Sequence, residues 1–270
     1  MSDARPMNAA RLRARKGHTP ISCVTVFDVS SAHFAHAAGI DVLLVGDSLG
    51  MTVLGHKDTV SVTLDTMIHH TQAVRRGAPD GFVVTDLPFL TAELGPTEAL
   101  RSAGRCLQEG GADAVKLEGG ADHAETIATL VRSGIPVVAH IGLLPQRVRA
   151  MGGYRVQGRS DEAQASLLAD AQAVVDAGAC ALVLEGLPAS VGKHLTESVD
   201  IPTIGIGAGS HCDGQVLVWH DVLGLGHGTF QPKFVKAFAD LGKQTEAALR
   251  TFRSEIEDRS FPGAEHSYED

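Results

Sequence analysis

The strongest constraint on how this chain folds is a repeated alternation of short β-branched apolar runs with longer segments rich in alanine, leucine and charge. The runs are ISCVTVF at 21–27, DVLLVGDS from Asp41, FVVTD at 82–86, DAVKLEGG at 113–120, PVVAHIG at 136–142, ALVLEG at 181–186, PTIGIGAG at 202–209 and QVLVWHD at 215–221. None alternates cleanly between polar and apolar. Runs of this kind suit parallel strands buried on both faces, with helices in the crossovers. Helices are expected over 29–38, 63–75, Pro96 to Gln108, 122–132 and 161–177, with Pro96 at a helix start and glycines near helix ends. Eight runs predict a single-domain α/β fold, a closed (β/α)8 TIM barrel, with an open doubly wound sheet as the alternative. Too little chain separates PTIGIGAG from QVLVWHD for a full helix, so the seventh crossover must be abbreviated. Additional C-terminal helices follow: 232–256 reads as two, separated near Gly242.

Composition narrows the function classes. A net charge of −9 disfavours a nucleic-acid binder, because it implies no broad basic surface. The apolar runs are far shorter than a membrane span, and the basic N-terminus lacks the long apolar region of a secretory signal. Cys23, Cys106, Cys180 and Cys212 are widely spaced and form neither a compact metal motif nor a redox pair. Cys23 and Cys180 read as small buried apolar groups, which favours a reducing, cytoplasmic setting.

Polar groups recur where the strands end. Asp47, Asp86 and Glu118 each close a different apolar run, and parallel strand ends converge on one face of a barrel. Three neighbouring carboxylates repel unless protonated or neutralised by a cation, and hard oxygen donors suit Mg²⁺. Turn capping for Asp47, helix capping for Asp86 and orientation of water or Lys116 for Glu118 are the alternatives. Lys116 shares strand parity with Glu118, so both face the same way, and a buried ammonium needs an anionic partner. Glu185 ends ALVLE before Gly186, a setting that suits a catalytic base. His140 ends PVVAH, where it can bind substrate or position another acid. Ser48, beside Asp47, is a substrate-oxygen contact or a shaper of the metal shell. GIGAG at 205–209 fails the G-x-G-x-x-G dinucleotide pattern, since Ser210 stands at the third glycine position. His69 and His70 do not share a helix face, and His33 and His36 lack complementary ligands. The long glycine-rich segment 141–160 belongs either to a site or to a subunit contact.

At these residues the chain resembles the ketopantoate hydroxymethyltransferase family. The resemblance runs from about Ile21 to Phe261 through VGDSLGMTVLGH at 45–56, TDLPF at 85–89, AVKLEGG at 114–120, AHIGLLPQ at 139–146, GGYRVQG at 152–158 and IGIGAGSHCDGQVLVWHDVLG at 204–224. It implies a (β/α)8 barrel, Mg²⁺ dependence and a homo-oligomer, commonly a homodecamer. It also implies transfer of a one-carbon unit from 5,10-methylenetetrahydrofolate to 3-methyl-2-oxobutanoate, forming 2-dehydropantoate in pantothenate biosynthesis through an Mg²⁺-stabilised enolate. By motif, Asp47 and Asp86 match metal ligands and Glu118 the surrounding metal or water network. Ser48 and Lys116 match substrate contacts, and Glu185 matches the proposed base. Two departures stand out: Phe27 where relatives often have tyrosine, and Gly186 where many have cysteine. A related Mg²⁺-dependent barrel acting on another C–C or C–P bond beside a 2-oxo acid is the alternative. The expected division is an N-terminal extension at 1–20, the catalytic barrel at 21–261, and a tail at 262–270 that is either mobile or docked by Phe261 and Tyr268.

Overall fold

The computed structural model describes residues 6–226 and 232–269. The chain divides into two compact units, Met1–Trp219 and His220–Asp270. In the first, all eight strands pair in parallel and in chain order, and β8 closes back onto β1 as a barrel. They are β1 Ile21–Thr25, β2 Val42–Val45, β3 Val83–Asp86, β4 Ala114–Glu118, β5 Val137–Gly142, β6 Ala181–Glu185, β7 Thr203–Ile206 and β8 Gly214–Val218. The helices before and between them are α1 Ala9–Arg13, α2 Val29–Ala37, α3 Leu49–Thr52, α4 Leu64–Gly77, α5 Pro96–Gln108, α6 Ala124–Arg132, α7 Asp161–Asp176 and α8 Ala189–Ser198. Local chemistry sets several starts. Asp28 and Ser31 form a reciprocal capping box on α2, Thr63 and Ser160 cap α4 and α7, and Pro96 opens α5.

The strands carry two different apolar faces. One packs outward against the helices and includes Val115, Leu117, Val137, Ala139, Ile141, Leu182 and Leu184. The other fills the barrel with Cys23, Leu44, Val84, Ala114, Val138, Val183 and Ile204. Because parity is conserved along a strand, the residues two further on from several of these inward positions also point inside. Val84 leads to Asp86, Ala114 to Lys116 and Glu118, Val138 to His140, and Val183 to Glu185. The interior therefore passes from hydrocarbon to charge at the C-terminal end of the sheet.

The segment ahead of β1 belongs to this core. Leu12 on α1 is wholly buried and joins the interior cluster with Ile21, Val42 and Val84. The expected short seventh crossover is present: no helix separates β7 from β8. Asp213 staples this link, accepting hydrogen bonds from the backbone N–H of Gly17 at 3.0 Å and of Thr203 at 2.9 Å, and from Lys16 Nζ at 2.9 Å. Burial alone would raise the Asp213 carboxyl, but these donors outweigh it and hold it below its ordinary range. α8, between β6 and β7, was not among the expected helices.

The second unit holds most of α9 Trp219–Leu223 and all of α10 Leu241–Glu257. The expectation of two helices parted at Gly242 is corrected here. Gly242 lies in the first turn of α10 and donates its N–H to Gly224 at 3.1 Å. First-turn amides have no partner within the helix, so a glycine there breaks nothing. Ahead of α10 the helical spacing of Phe234 and Phe238 misleads, because the Phe238 N–H goes to the Val222 carbonyl at 2.8 Å. The end of QVLVWHD likewise turns helical from Trp219 instead of extending β8. Among the described residues no helix is long and apolar enough to cross a membrane, and the four cysteines are free.

Candidate active site

The inward charged residues meet as a connected chain across four neighbouring strands. Asp86 pairs in register with Lys116, Glu118 with His140, and Gly142 with Glu185. Lys116 Nζ lies 3.0 Å from Asp86 Oδ1 and 3.5 Å from His140 Nδ1. His140 Nδ1 is 3.8 Å from Glu118 Oε1, and its Nε2 is 3.2 Å from Glu185 Oε2. The backbone N–H of Asp47, just beyond β2, donates to Asp86 Oδ2 at 3.1 Å. Asp47, Asp86, Lys116, Glu118 and His140 are all buried, while the Glu185 side chain retains 14% exposure. Glu185 is thus the most exposed member of the chain.

The electrostatics follow from burial opposed by pairing. Burial, reinforced by the charge of Asp86, pushes the Asp47 carboxyl up to about 7 against the pull of Lys116 and of a hydrogen bond from Gln146. Burial likewise raises Glu118 well above the carboxylate range. For Lys116 burial alone would lower the pKa, but Asp86, Glu118 and Asp47 together raise it, so the ammonium stays charged. His140 is pushed down by burial and by Lys116, so it is neutral. With an ammonium facing Nδ1, the proton belongs on Nε2, which faces Glu185.

The donor set fits a hard divalent cation. Asp86 Oδ1 is buried, and its contact with Lys116 is an ion pair outside hydrogen-bonding alignment. The Ser48 hydroxyl is buried without a partner in the same region: a Cβ placed on Gly46 would lie 3.1 Å from Ser48 Oγ and 3.6 Å from Asp86 Oδ2. Two carboxylates and unfilled oxygen valences suit Mg²⁺, which completes its shell with water or substrate oxygens. Glu118 stands apart. Its Oε2 accepts the Gln146 N–H at 3.0 Å, and among the described residues no three His, Cys, Asp or Glu side chains gather as a metal cluster.

The residue the sequence reading missed is Gln146. It sits in the 3₁₀ turn Pro145–Arg147 after β5, is 5% exposed, and reaches Asp47 Oδ2 at 2.8 Å and the Leu87 carbonyl at 3.0 Å. Its only signal was membership of AHIGLLPQ and of the long glycine-rich loop. That loop also reaches the segment after β2: Arg149 pairs with Asp58 at 2.9 Å, and Tyr154 donates to Met51 Sδ at 3.3 Å. A cavity of about 640 Å³ opens at the other end of the strands, beside Arg11, Arg15, Asp41 and Phe82, and holds none of these groups.

Comparison with known proteins bears on the whole chain. The chain is 53% identical over 267 residues to the 3-methyl-2-oxobutanoate hydroxymethyltransferase of Oleidesulfovibrio alaskensis, covering 99% of this chain and 92% of that one. It is 53% identical over 248 residues to the enzyme of that name from Carboxydothermus hydrogenoformans, covering 92% and 90%. Among solved structures it resembles 2,3-dimethylmalate lyase, a PEP mutase/isocitrate lyase superfamily member, with TM-score 0.62 at 19% identity over 96% of this chain and 87% of that one. The phosphoenolpyruvate phosphomutase of Streptomyces platensis subsp. rosaceus gives TM-score 0.61 at 14% identity over 93% and 88%. These distant structures share the barrel. The family model for ketopantoate hydroxymethyltransferase matches residues 6–264, and the chain belongs to that family.

Proposed function

We propose that this enzyme transfers a hydroxymethyl group from 5,10-methylenetetrahydrofolate to 3-methyl-2-oxobutanoate, giving 2-dehydropantoate. The observation that carries this reading is the partly exposed Glu185 carboxylate at the end of a buried chain that runs through neutral His140 to cationic Lys116 and the Asp86–Asp47 pair.

In this reading Asp47 and Asp86 hold Mg²⁺, which when bound polarises the 2-oxo acid carbonyl. Glu185 takes the proton from C3 of the oxo acid, leaving a carbon nucleophile. Lys116, kept charged by its carboxylate neighbours, faces the negative charge that develops on the enolate oxygen or the substrate carboxylate. His140 Nε2 lies 3.2 Å from Glu185 Oε2 outside hydrogen-bonding alignment, so its N–H and the unpartnered Ser48 hydroxyl are both donors open to a substrate oxygen. Water releases the methylene carbon from the two folate nitrogens as formaldehyde, leaving tetrahydrofolate. The C3 electron pair adds to that carbonyl carbon, and the proton held by Glu185 passes to the resulting alkoxide to give the hydroxymethyl group. Glu118 orders water or Lys116 at the edge of the site. The family resemblance supports a homodecamer acting in the cytoplasm, and sedimentation velocity measures its size.

The test is an assay with Mg²⁺, 3-methyl-2-oxobutanoate and methylenetetrahydrofolate that resolves product and C3 proton exchange. Metal-dependent exchange without folate, and product only with it, is the expected result. Absence of both overturns the assignment.

A further inference from the structure

Asp47 lies beyond the last hydrogen-bonded residue of β2, so the sheet ladder does not orient its side chain. Its backbone N–H is tied to Asp86 Oδ2. Among the described residues its carboxylate receives one hydrogen bond, from Gln146 Nε2 to Oδ2 at 2.8 Å. The orientation of that amide is fixed by its surroundings. Asp47 Oδ2 and the Leu87 carbonyl are both acceptors, so the –NH₂ end must face them, and both of its hydrogens are consumed. The Gln146 backbone N–H meanwhile binds Glu118 Oε2. One residue therefore restrains two carboxylates that arise from β2 and β4.

We infer that Gln146 is the positioning residue for Asp47: it commits Oδ2, leaves the other carboxylate oxygen to present to the divalent cation, and so sets the affinity for that cation. The inference rests on the reading of Asp47 and Asp86 as Mg²⁺ ligands. A neutral donor is required at this place. A carboxylate would oppose Asp47 at hydrogen-bond range, and an aliphatic side chain would leave Asp47 Oδ2 and the Leu87 carbonyl buried without donors. Partners that orient a ligating carboxylate typically contribute about 10–100-fold to metal affinity.

The test titrates MgCl₂ calorimetrically into the full-length enzyme holding saturating 3-methyl-2-oxobutanoate without folate, so that binding is read without turnover. Gln146→Met keeps the side-chain length and removes both donors, and should weaken apparent Mg²⁺ affinity by about 10–100-fold. Steady-state turnover should recover as Mg²⁺ is raised, placing the defect in the Mg²⁺ requirement and not in kcat. If Q146M does not fold, Gln146→Asn serves, since its amide is too short to reach Asp47 and Leu87 together, and the same weakening is expected. A variant with a lowered melting temperature but parental Mg²⁺ affinity shows a structural brace only and overturns the inference, leaving the metal reading intact. A parent enzyme that binds no Mg²⁺ overturns that reading and this inference with it.

Discussion

His140 Nε2 stands 3.2 Å from Glu185 Oε2 at the point where the buried charge chain reaches the open side of the barrel. The pairing places the one partly exposed carboxylate of the chain against a neutral imidazole. Glu185→Gln keeps the shape and removes the base. It should slow C3 proton exchange by about 10²–10⁴-fold, followed as deuterium incorporation by NMR, while Mg²⁺-dependent binding of the oxo acid persists. Exchange at the parental rate would remove Glu185 from the base role.

Lys116 balances three buried carboxylates, so its loss is felt in stability as well as in catalysis. Lys116→Met should cost about 3–5 kcal/mol near neutral pH, because it leaves buried charge without compensation. The cost should be smaller below about pH 7, where Asp47 takes up a proton instead. Urea unfolding across a pH series measures both effects.

Proton and metal compete for Asp47. Its carboxyl is raised from 3.8 to about 7, so the folded metal-free protein favours the protonated form. The metal-free protein accordingly loses stability from this group as pH climbs through that window. Mg²⁺ needs the ionised form, so its affinity should fall as pH drops below about 7, approaching about tenfold per pH unit for one competing proton. Calorimetry in buffers of different ionisation enthalpy should detect proton release on binding below that pH, and none well above it. A pH-independent affinity would contradict the assignment of Asp47 as a ligand.

Gly142 ends β5 at φ +99°, and a Cβ there would collide with the backbone carbonyl of Glu185. Gly142→Ala therefore strains its own backbone and displaces the end of β6. We expect loss of turnover with a smaller effect on Mg²⁺ binding, since Asp47 and Asp86 follow other strands. Parallel kinetic and calorimetric measurements distinguish the two.

Leu12 tests whether the segment before β1 is an appendage. Its side chain is wholly buried beneath the barrel interior. Leu12→Ala should cost about 2–5 kcal/mol by leaving a cavity, read as a lowered denaturation midpoint.

Much of this protein was legible in its sequence. The β-branched runs fixed the strands to within a residue or two at most ends, because burial on both faces demands continuous apolar character over a short length. Strand parity put Lys116 and Glu118 on one face, and the short link before Gly214 foretold a crossover without a helix. The carboxylates at the ends of the strands were visible for the same reason: a parallel barrel must collect its strand ends. Other features were decided only by tertiary structure. Gln146 reaches Asp47 from 99 positions away, and Leu12 enters the core from outside any periodic run. The Phe238 N–H follows a distant carbonyl instead of a helical one. Local pattern reports which face of an element avoids water. Which donor a particular buried oxygen receives depends on loops that the closed barrel brings together, and hydrogen bonds of that kind leave no period in the sequence.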